Sequence, residues 1–190
     1  MRKIIVSEFV TLDGVMEDPG GAEGFKLGGW TFRGESSEDE QKFKVDELFA
    51  AGGLLLGRVT YQGFAAAWPT MQGTGEFGER MNGLPKYVVS TTLKTLDWNN
   101  SNLINQNVPD EIAKLKQQPG QDIVVFGSGK LVQTLVEHDL VDQYNLLVFS
   151  VVLGSGKRLF RDGTNTALKL VEAKRFGSGV AALIYQPDRK

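Results

Sequence analysis

The sequence predicts an α/β fold: a mixed, mostly parallel central sheet with helices on both faces, closed by a C-terminal antiparallel hairpin. Three observations predict it. The short runs Leu54 to Leu56, Lys86 to Ser90 and Asp122 to Phe126 have continuous apolar centres in place of the in-out alternation of a half-exposed sheet, so they read as buried strands. Segments with helical spacing of apolar residues alternate with them, as in parallel strands joined by crossover helices. The tail alternates instead through Leu168, Leu170 and Glu172, turns at Gly177-Ser178-Gly179, and alternates again through Ala181, Leu183 and Tyr185. That is a hairpin pattern.

Taken in order, Lys3 to Leu12 is rich in Ile, Val, Phe and Thr and stops at Asp13-Gly14, so it is expected as a strand ending in a turn. From Val15 to Gly34 the chain carries Gly20, Gly21, Gly24, Gly28, Gly29 and Gly34 with little periodicity, which reads as a long loop. Loops of this length inside a domain are usually functional or mobile. Ser37 and Glu40 have capping-box spacing, and Val45, Leu48 and Phe49 recur at helical intervals, predicting a helix over about 37–51 that stops at Gly52-Gly53. Leu54 to Leu56 then form a strand, and Gly57-Arg58 leads into a short helix through Phe64. Pro69 to Pro85, interrupted by Gly73, Gly75, Gly78 and Gly83, reads as a second loop, followed by the strand KYVVS with Thr91 and Thr92 at its end.

A short strand is expected over Ser101 to Gln106. The next helix is well punctuated: Pro109 at its first positions, Asp110 and Glu111 beside it, Lys114 and Lys116 near its end, Pro119-Gly120 beyond. DIVVF is a strand, FGSGK a glycine turn, and Leu131, Leu135 and Val136 a helical stripe. Tyr144 to Leu153 reads as one strand, broken by Gly154-Ser155-Gly156.

Composition narrows the function. A chain of 190 residues, 41% hydrophobic and 23% charged, suits one globular domain spanning 1–190. With 21 basic and 23 acidic side chains and no dense basic run, it offers no electrostatic footprint for nucleic acid. The absence of cysteine removes disulfides, a thiolate nucleophile and a cysteine-based zinc site. MRKIIVSEFV is too short in its apolar part for a signal peptide, and no run of 18 apolar residues is present, so neither a membrane partner nor a metal is expected and the cytoplasm is the expected compartment.

Three predicted strand ends carry small, polar or basic residues: Gly57, Arg58, Val59 and Thr60; Ser90, Thr91 and Thr92; Gly127, Ser128, Gly129 and Lys130. In open α/β sheets ligands bind at the carboxyl ends of the strands, where helix N-termini also point. Glycine there lets a phosphate reach the backbone, and the free N–H groups of the next helix stabilise the anion. Alone, FGSGK equally describes a tight strand-to-helix connection. Val132 stands where the dinucleotide fingerprint has its third glycine, and the segment is not a P-loop. Arg58 alone equally describes a solvated arginine.

The order SEFVTLDG, LLLGRVTY, KYVVSTT, VVFGSGKLVQTL and LVDQYNLLVFSVVLGSGKRLF resembles the reductase domain of the bifunctional riboflavin-biosynthesis deaminase-reductases and their stand-alone relatives, within the dihydrofolate reductase-like superfamily. The resemblance covers nearly the whole chain, and GRVTY and FGSGK are its most specific parts. It implies a three-layer α/β/α fold with a mixed sheet of about eight strands, NADPH across the strand ends, and reduction of a small heterocycle, most like 5-amino-6-(5-phosphoribosylamino)uracil. By the same resemblance Arg58 and Ser90, with Thr60 and Thr91, form the pocket for the 2′-phosphate, and Gly127, Ser128, Gly129, Lys130 and Leu131 hold the pyrophosphate. A homodimer paired through a sheet edge is also implied. The zinc site of the deaminase domain has no counterpart here.

On the substrate side, Asp13 resembles the aspartate of the family's SxDG segment and is the candidate catalytic residue; its bland alternative is a plain Asp-Gly turn. Trp30 and Phe32 either cover the reacting heterocycle or anchor the glycine-rich loop. Lys157 and Arg158 either meet a substrate phosphate or flank a turn. The dihydrofolate reductases use an acid on the first helix, and Glu38, Asp39, Glu40, Asp46 and Glu47 offer too many candidates to choose one, most of them expected on a solvated face. His138, the single histidine, reads as a capping residue. The alternatives kept open are a pterin or dihydrofolate reductase and a binding protein of the same fold without turnover.

Overall fold

Leu54, Leu55 and Leu56 are each fully buried, the first and third against one face of a sheet and the second against the other. That two-sided burial follows from the period-2 geometry of a strand covered on both faces. The same holds for Ile123, Val124 and Val125. The computed structural model describes residues 1–189. The strands are β1 (Ile4–Thr11), β2 (Gly53–Gly57), β3 (Lys86–Val89), β4 (Ser101–Ile104), β5 (Ile123–Phe126), β6 (Gln143–Phe149), β7 (Leu168–Arg175) and β8 (Ala181–Pro187). The helices are α1 (Glu38–Ala50), α2 (Arg58–Ala67), α3 (Gly75–Gly83), α4 (Val108–Gln117) and α5 (Gly129–Glu137), with a 3-10 turn at Trp30–Arg33.

All eight strands join one sheet in the order β4-β3-β2-β5-β1-β6-β8-β7. The pairings from β4 to β6 are parallel, and β8 runs antiparallel between β6 and β7. One core packs Ile112 and Leu115 of α4 and Leu131, Val132 and Leu135 of α5 on one face. A second packs Leu48 of α1, Tyr61 of α2 and Met81 of α3 on the other. The predicted three-layer α/β/α architecture and the tail hairpin are therefore both present.

Three details differ from the sequence reading. The stretch 69–85, read as a loop, contains α3, which long-range bonds hold in place. The Trp98 indole donates to Asn82 Oδ1 (2.7 Å), Asn82 Nδ2 donates to the Trp68 carbonyl (3.1 Å), and Arg80 donates to the Ala51 carbonyl (2.6 Å). The strand expected from Tyr144 to Leu153 ends at Phe149, because the chain then bends so that the Val151 carbonyl accepts Leu12 N–H (2.8 Å) and the Leu153 and Gly154 amides reach Asp13. The capping box at α1 does not form: Ser37 Oγ donates to Asp39 Oδ1 (2.6 Å) instead of taking a backbone N–H.

The sheet opens at its middle. β1 pairs with β5 only up to Ser7 opposite Phe126, whereas it continues beside β6 to Thr11 opposite Phe149. From Glu8 onward β1 has one strand neighbour, and the gap on its other side is bordered by the glycine turn that follows β5. This fork, at the carboxyl edge of six parallel strands, is the kind of crevice where α/β sheets bind ligands.

Candidate active site

The glycine turn after β5 is built to leave a helix end bare. Gly127 and Ser128 are both left-handed (φ 55° and 61°), a conformation natural to glycine and costly elsewhere. Ser128 sits at the N-cap of α5, yet its hydroxyl does not cap the helix. It accepts Gly57 N–H (2.8 Å) and donates to the Phe126 carbonyl (3.0 Å), while Ser128 N–H donates to Thr60 Oγ1 (2.9 Å). The first helical hydrogen bond of α5 comes from Val132 N–H, so the amides of Gly129, Lys130 and Leu131 have no acceptor among the described residues. A Cβ on Gly127 would lie 2.9 Å from Thr60 Oγ1, so only glycine lets the turn sit this close to α2.

The same bonds tie α5 to α2, whose N-cap is Gly57 and which also lacks a capping side chain. The two helix starts therefore lie together at the carboxyl ends of adjacent strands. Their charges set them apart. α1 opens with Glu38, Asp39 and Glu40, α3 with Glu76, and α4 with Asp110 and Glu111, as the helix dipole favours. α2 and α5 have no acid in the first turn and carry Arg58 and Lys130 there. A cation at a helix N-terminus opposes the dipole, so two uncapped, basic helix starts side by side make sense as a cradle for an anion brought from outside. Arg58 is exposed, held only by a bond to Gln62 Oε1 (2.9 Å).

Ser90 lies at the end of β3, one position past Val89, which is level with Gly57. It is buried, and its Oγ accepts the Leu93 (3.0 Å) and Thr92 (3.2 Å) amides, closing the bend after the strand. Thr91 beside it is exposed. The geometry thus unites Arg58, Thr60, Gly127, Ser128, Gly129, Lys130 and Leu131, and sets Ser90 and Thr91 at the same edge of the sheet.

The substrate-side residues behave differently. Asp13 Oδ1 accepts the Thr11 hydroxyl (2.6 Å) and Leu153 N–H (3.3 Å), and Oδ2 accepts Gly154 N–H (2.8 Å). The Thr11 hydroxyl first, and the Gly154 amide next, hold its carboxyl down at about 2. These bonds favour its ionised form, and through them Asp13 ties the turn after β1 to the loop after β6. Trp30 is fully buried, donates from its indole to the Glu17 carbonyl (2.8 Å) and stacks edge-on against Phe149 (5.5 Å). It anchors the glycine-rich loop to the core, whereas Phe32 is 76% exposed. Lys157 Nζ is paired with Glu17, and Arg158 Nε donates to the Asp13 carbonyl (3.2 Å). These two clamp one glycine loop to the other. His138 Nδ1 lies 2.9 Å from the Thr134 carbonyl at the end of α5, the capping position expected of it.

Of the five acids on α1, three face outward: Glu38 is exposed, Asp46 pairs with Lys42, and Asp39 accepts Ser37 Oγ and Gly177 N–H. Two face inward. Glu40 lines a cavity of about 200 Å³ with Trp30, Arg33, Phe149, Ser150 and Val180, and its buried Oε2 has no hydrogen-bond partner. Glu47 accepts Lys44 Nζ, Ser7 Oγ (2.8 Å) and Asn145 Nδ2 (2.7 Å). Sequence reading also missed Glu8, buried on β1 at the fork, where Oε2 accepts Gly127 N–H (3.1 Å). The available signal was an acid in the middle of a strand that is otherwise apolar at Val6, Phe9 and Val10.

The sequence matches the RibD C-terminal domain over residues 2–182. The chain belongs to the RibD C-terminal domain family. Two Bacillus subtilis proteins are similar along almost their full lengths: the uncharacterized protein YyaP, 32% identical over 97% of this chain and 94% of its own, and the uncharacterized protein YwjB, 29% identical over 94% and 95%. Among solved structures, a Shewanella sp. PV-4 protein named for riboflavin biosynthesis superposes with a TM-score of 0.77 at 20% identity, covering 98% of this chain and 99% of its own. A pyrimidine reductase-like protein of Corynebacterium diphtheriae gives 0.66 at 10% identity, covering 100% and 93%. At these identities the superpositions establish the dihydrofolate reductase-like fold. As a RibD C-terminal domain the chain has a reductase-type scaffold, and its bare helix starts fit the phosphates of a nicotinamide dinucleotide. Among the described residues, no cluster of His, Asp and Glu could hold a metal, and no helix is long and apolar enough to cross a membrane.

Proposed function

We propose that the protein is an NADPH-dependent reductase of a small heterocyclic metabolite, with 5-amino-6-(5-phosphoribosylamino)uracil the best-matched substrate. The observation that carries this reading is the pair of adjoining, uncapped and basic helix starts of α2 and α5, in a chain whose other α-helices open with acids. Gly129, Lys130 and Leu131 amides would bind the pyrophosphate. Arg58, with Thr60, Ser90 and Thr91 near it, would bind the 2′-phosphate, for which a guanidinium fork is well shaped. When bound, the nicotinamide supplies a hydride to a C=N or C=O carbon of the substrate. The glycine-rich loop, pinned by Trp30 and by the pair of Glu17 with Lys157, would close off water. Asp13 orients the loops around the fork, and the proton comes from Asp13, from water or from a residue of the glycine-rich loop.

A second reading has one specific observation in its favour. Glu40 faces a cavity with a carboxylate oxygen that no protein group satisfies, and an amino-substituted pterin would supply the missing N–H donors. The exposed edge strand β7, with Leu170 and Val171 half-exposed, is the surface we assign to a homodimer.

The test is NADPH oxidation, followed at the nicotinamide absorbance, with the ribosylaminouracil phosphate and with dihydrofolate. The first reading expects turnover with the pyrimidine, the second with the pterin. NADPH that binds but is oxidised by neither would favour a binding protein without catalysis.

A further inference from the structure

The fork holds a buried carboxyl, that of Glu8 on β1. Glu8 is 5% exposed; Oε2 accepts the Gly127 amide, and Oε1 is buried with no partner. Its charged surroundings come from two elements. Lys44 of α1 attracts a negative charge there, while Glu47 of α1 and Glu23 of the glycine-rich loop repel one. The turn after β5 contributes only the Gly127 N–H. Lys44 is already engaged, donating to Glu47 and to Ser7 Oγ (2.6 Å) and lying 4.5 Å from the centre of the Phe126 ring. Burial therefore dominates and pushes the Glu8 carboxyl well above the usual carboxylate range.

We propose that Glu8 is a positioning residue of the phosphate cradle: acting through the Gly127 amide it fixes the left-handed glycine turn, and it does so as the neutral acid, so that cofactor binding and retention of its proton are coupled. The inference rests on the dinucleotide reading. Two of the bonds that hold the turn come from its own backbone amides, Gly127 N–H to Glu8 and Ser128 N–H to Thr60. An ionised carboxylate in the first of them would hold the turn equally well but set a negative charge directly behind the bound phosphates. A carboxylic acid keeps the acceptor and omits the charge. By linkage, a polyanion bound in front of Glu8 makes its proton harder to remove, and removing that proton weakens the polyanion.

The sign follows. Affinity is constant while Glu8 is protonated in both states, and it falls by up to about tenfold per pH unit once the free protein has ionised and the complex has not. NADPH binding by the wild-type protein should be measured by calorimetry from pH 7 to 9.5, above the second phosphate ionisation near 6. The expected result is a Kd that rises by about fivefold or more, with a flat profile for Glu8→Gln, which keeps a carbonyl acceptor and cannot ionise. As a second measurement, the side-chain carboxyl of Glu8, followed by carbon-13 NMR in the wild-type chain, should titrate at higher pH with NADPH than without. A flat wild-type profile, an equal rise in the glutamine variant, or an unmoved carboxyl titration would overturn the proposal while leaving the dinucleotide reading intact. Absence of NADPH binding at pH 7 would overturn both.

Discussion

Replacing Arg58 with alanine is expected to weaken NADPH binding by about 1.5 to 3 kcal/mol, the range for hydrogen bonds to charged groups, while leaving NADH nearly unchanged. That corresponds to a loss of roughly 10- to 150-fold in Kd. The selectivity is the point of the experiment, because NADH lacks the 2′-phosphate that the guanidinium is proposed to hold. Stability should change little, since Arg58 is exposed and its contact within the chain is the bond to Gln62. Removing a cation from the start of α2 even relieves a mismatch with the helix dipole worth some tenths of a kcal/mol. Equal losses for NADPH and NADH, measured by fluorescence titration, would remove Arg58 from the 2′-phosphate pocket.

Gly127→Ala carries the second large effect, on stability and binding together. The residue has φ 55°, where a side chain costs about 1 to 2 kcal/mol. The new Cβ would also meet Thr60 Oγ1 at 2.9 Å and Cγ2 at 3.2 Å, displacing the hydroxyl that accepts Ser128 N–H. Losing that bond adds about 1 kcal/mol, so a total near 2 to 3 kcal/mol is expected, together with a substantial loss of NADPH affinity as the turn tilts. Gly14→Ala is the matched control, since Gly14 has φ 80° but nothing within 4 Å of the added Cβ. Thermal unfolding of the two variants separates conformational cost from the close approach. If both lose equal stability and Gly127→Ala binds NADPH normally, the tight packing of turn against α2 is unimportant to the site.

Much of this architecture is legible in the residues, for physical reasons that can be named. Leu54 to Leu56 and Ile123 to Phe126 are apolar at every position, which only a doubly covered strand requires, and the sheet places them in its middle. FGSGK announces a left-handed turn because its glycines tolerate positive φ, and Gly127 uses that freedom. What is not legible depends on distant contacts. α3 contains Gly75, Gly78 and Gly83, which mask a helix that Asn82, Arg80 and Trp98 secure from outside. The apolar run Val151 to Leu153 looks like more of β6, yet Val152 is 65% exposed because Asp13, far away in sequence, draws the chain off the sheet.

The site divides along the same line. Arg58, Thr60 and the glycine turn lie next to predictable strand ends, so their meeting follows from the parallel order of β2 and β5. Lys157 looks like a free cation until its pairing with Glu17 is seen, and Trp30 looks like a lid until its full burial is seen. Glu8 drew no notice because an acid within a strand is ordinary on a solvated face, and its burial here is set by the turn after β5, by α1 and by the glycine-rich loop, all distant in sequence.

The most direct measurement is an amide NMR titration of the protein with NADPH. The largest shifts should fall on Gly129, Lys130 and Leu131 and on Arg58, Val59 and Thr60, with smaller ones at Gly127. Shifts concentrated elsewhere, with those six amides unmoved at saturating NADPH, would contradict a phosphate cradle at the paired helix starts.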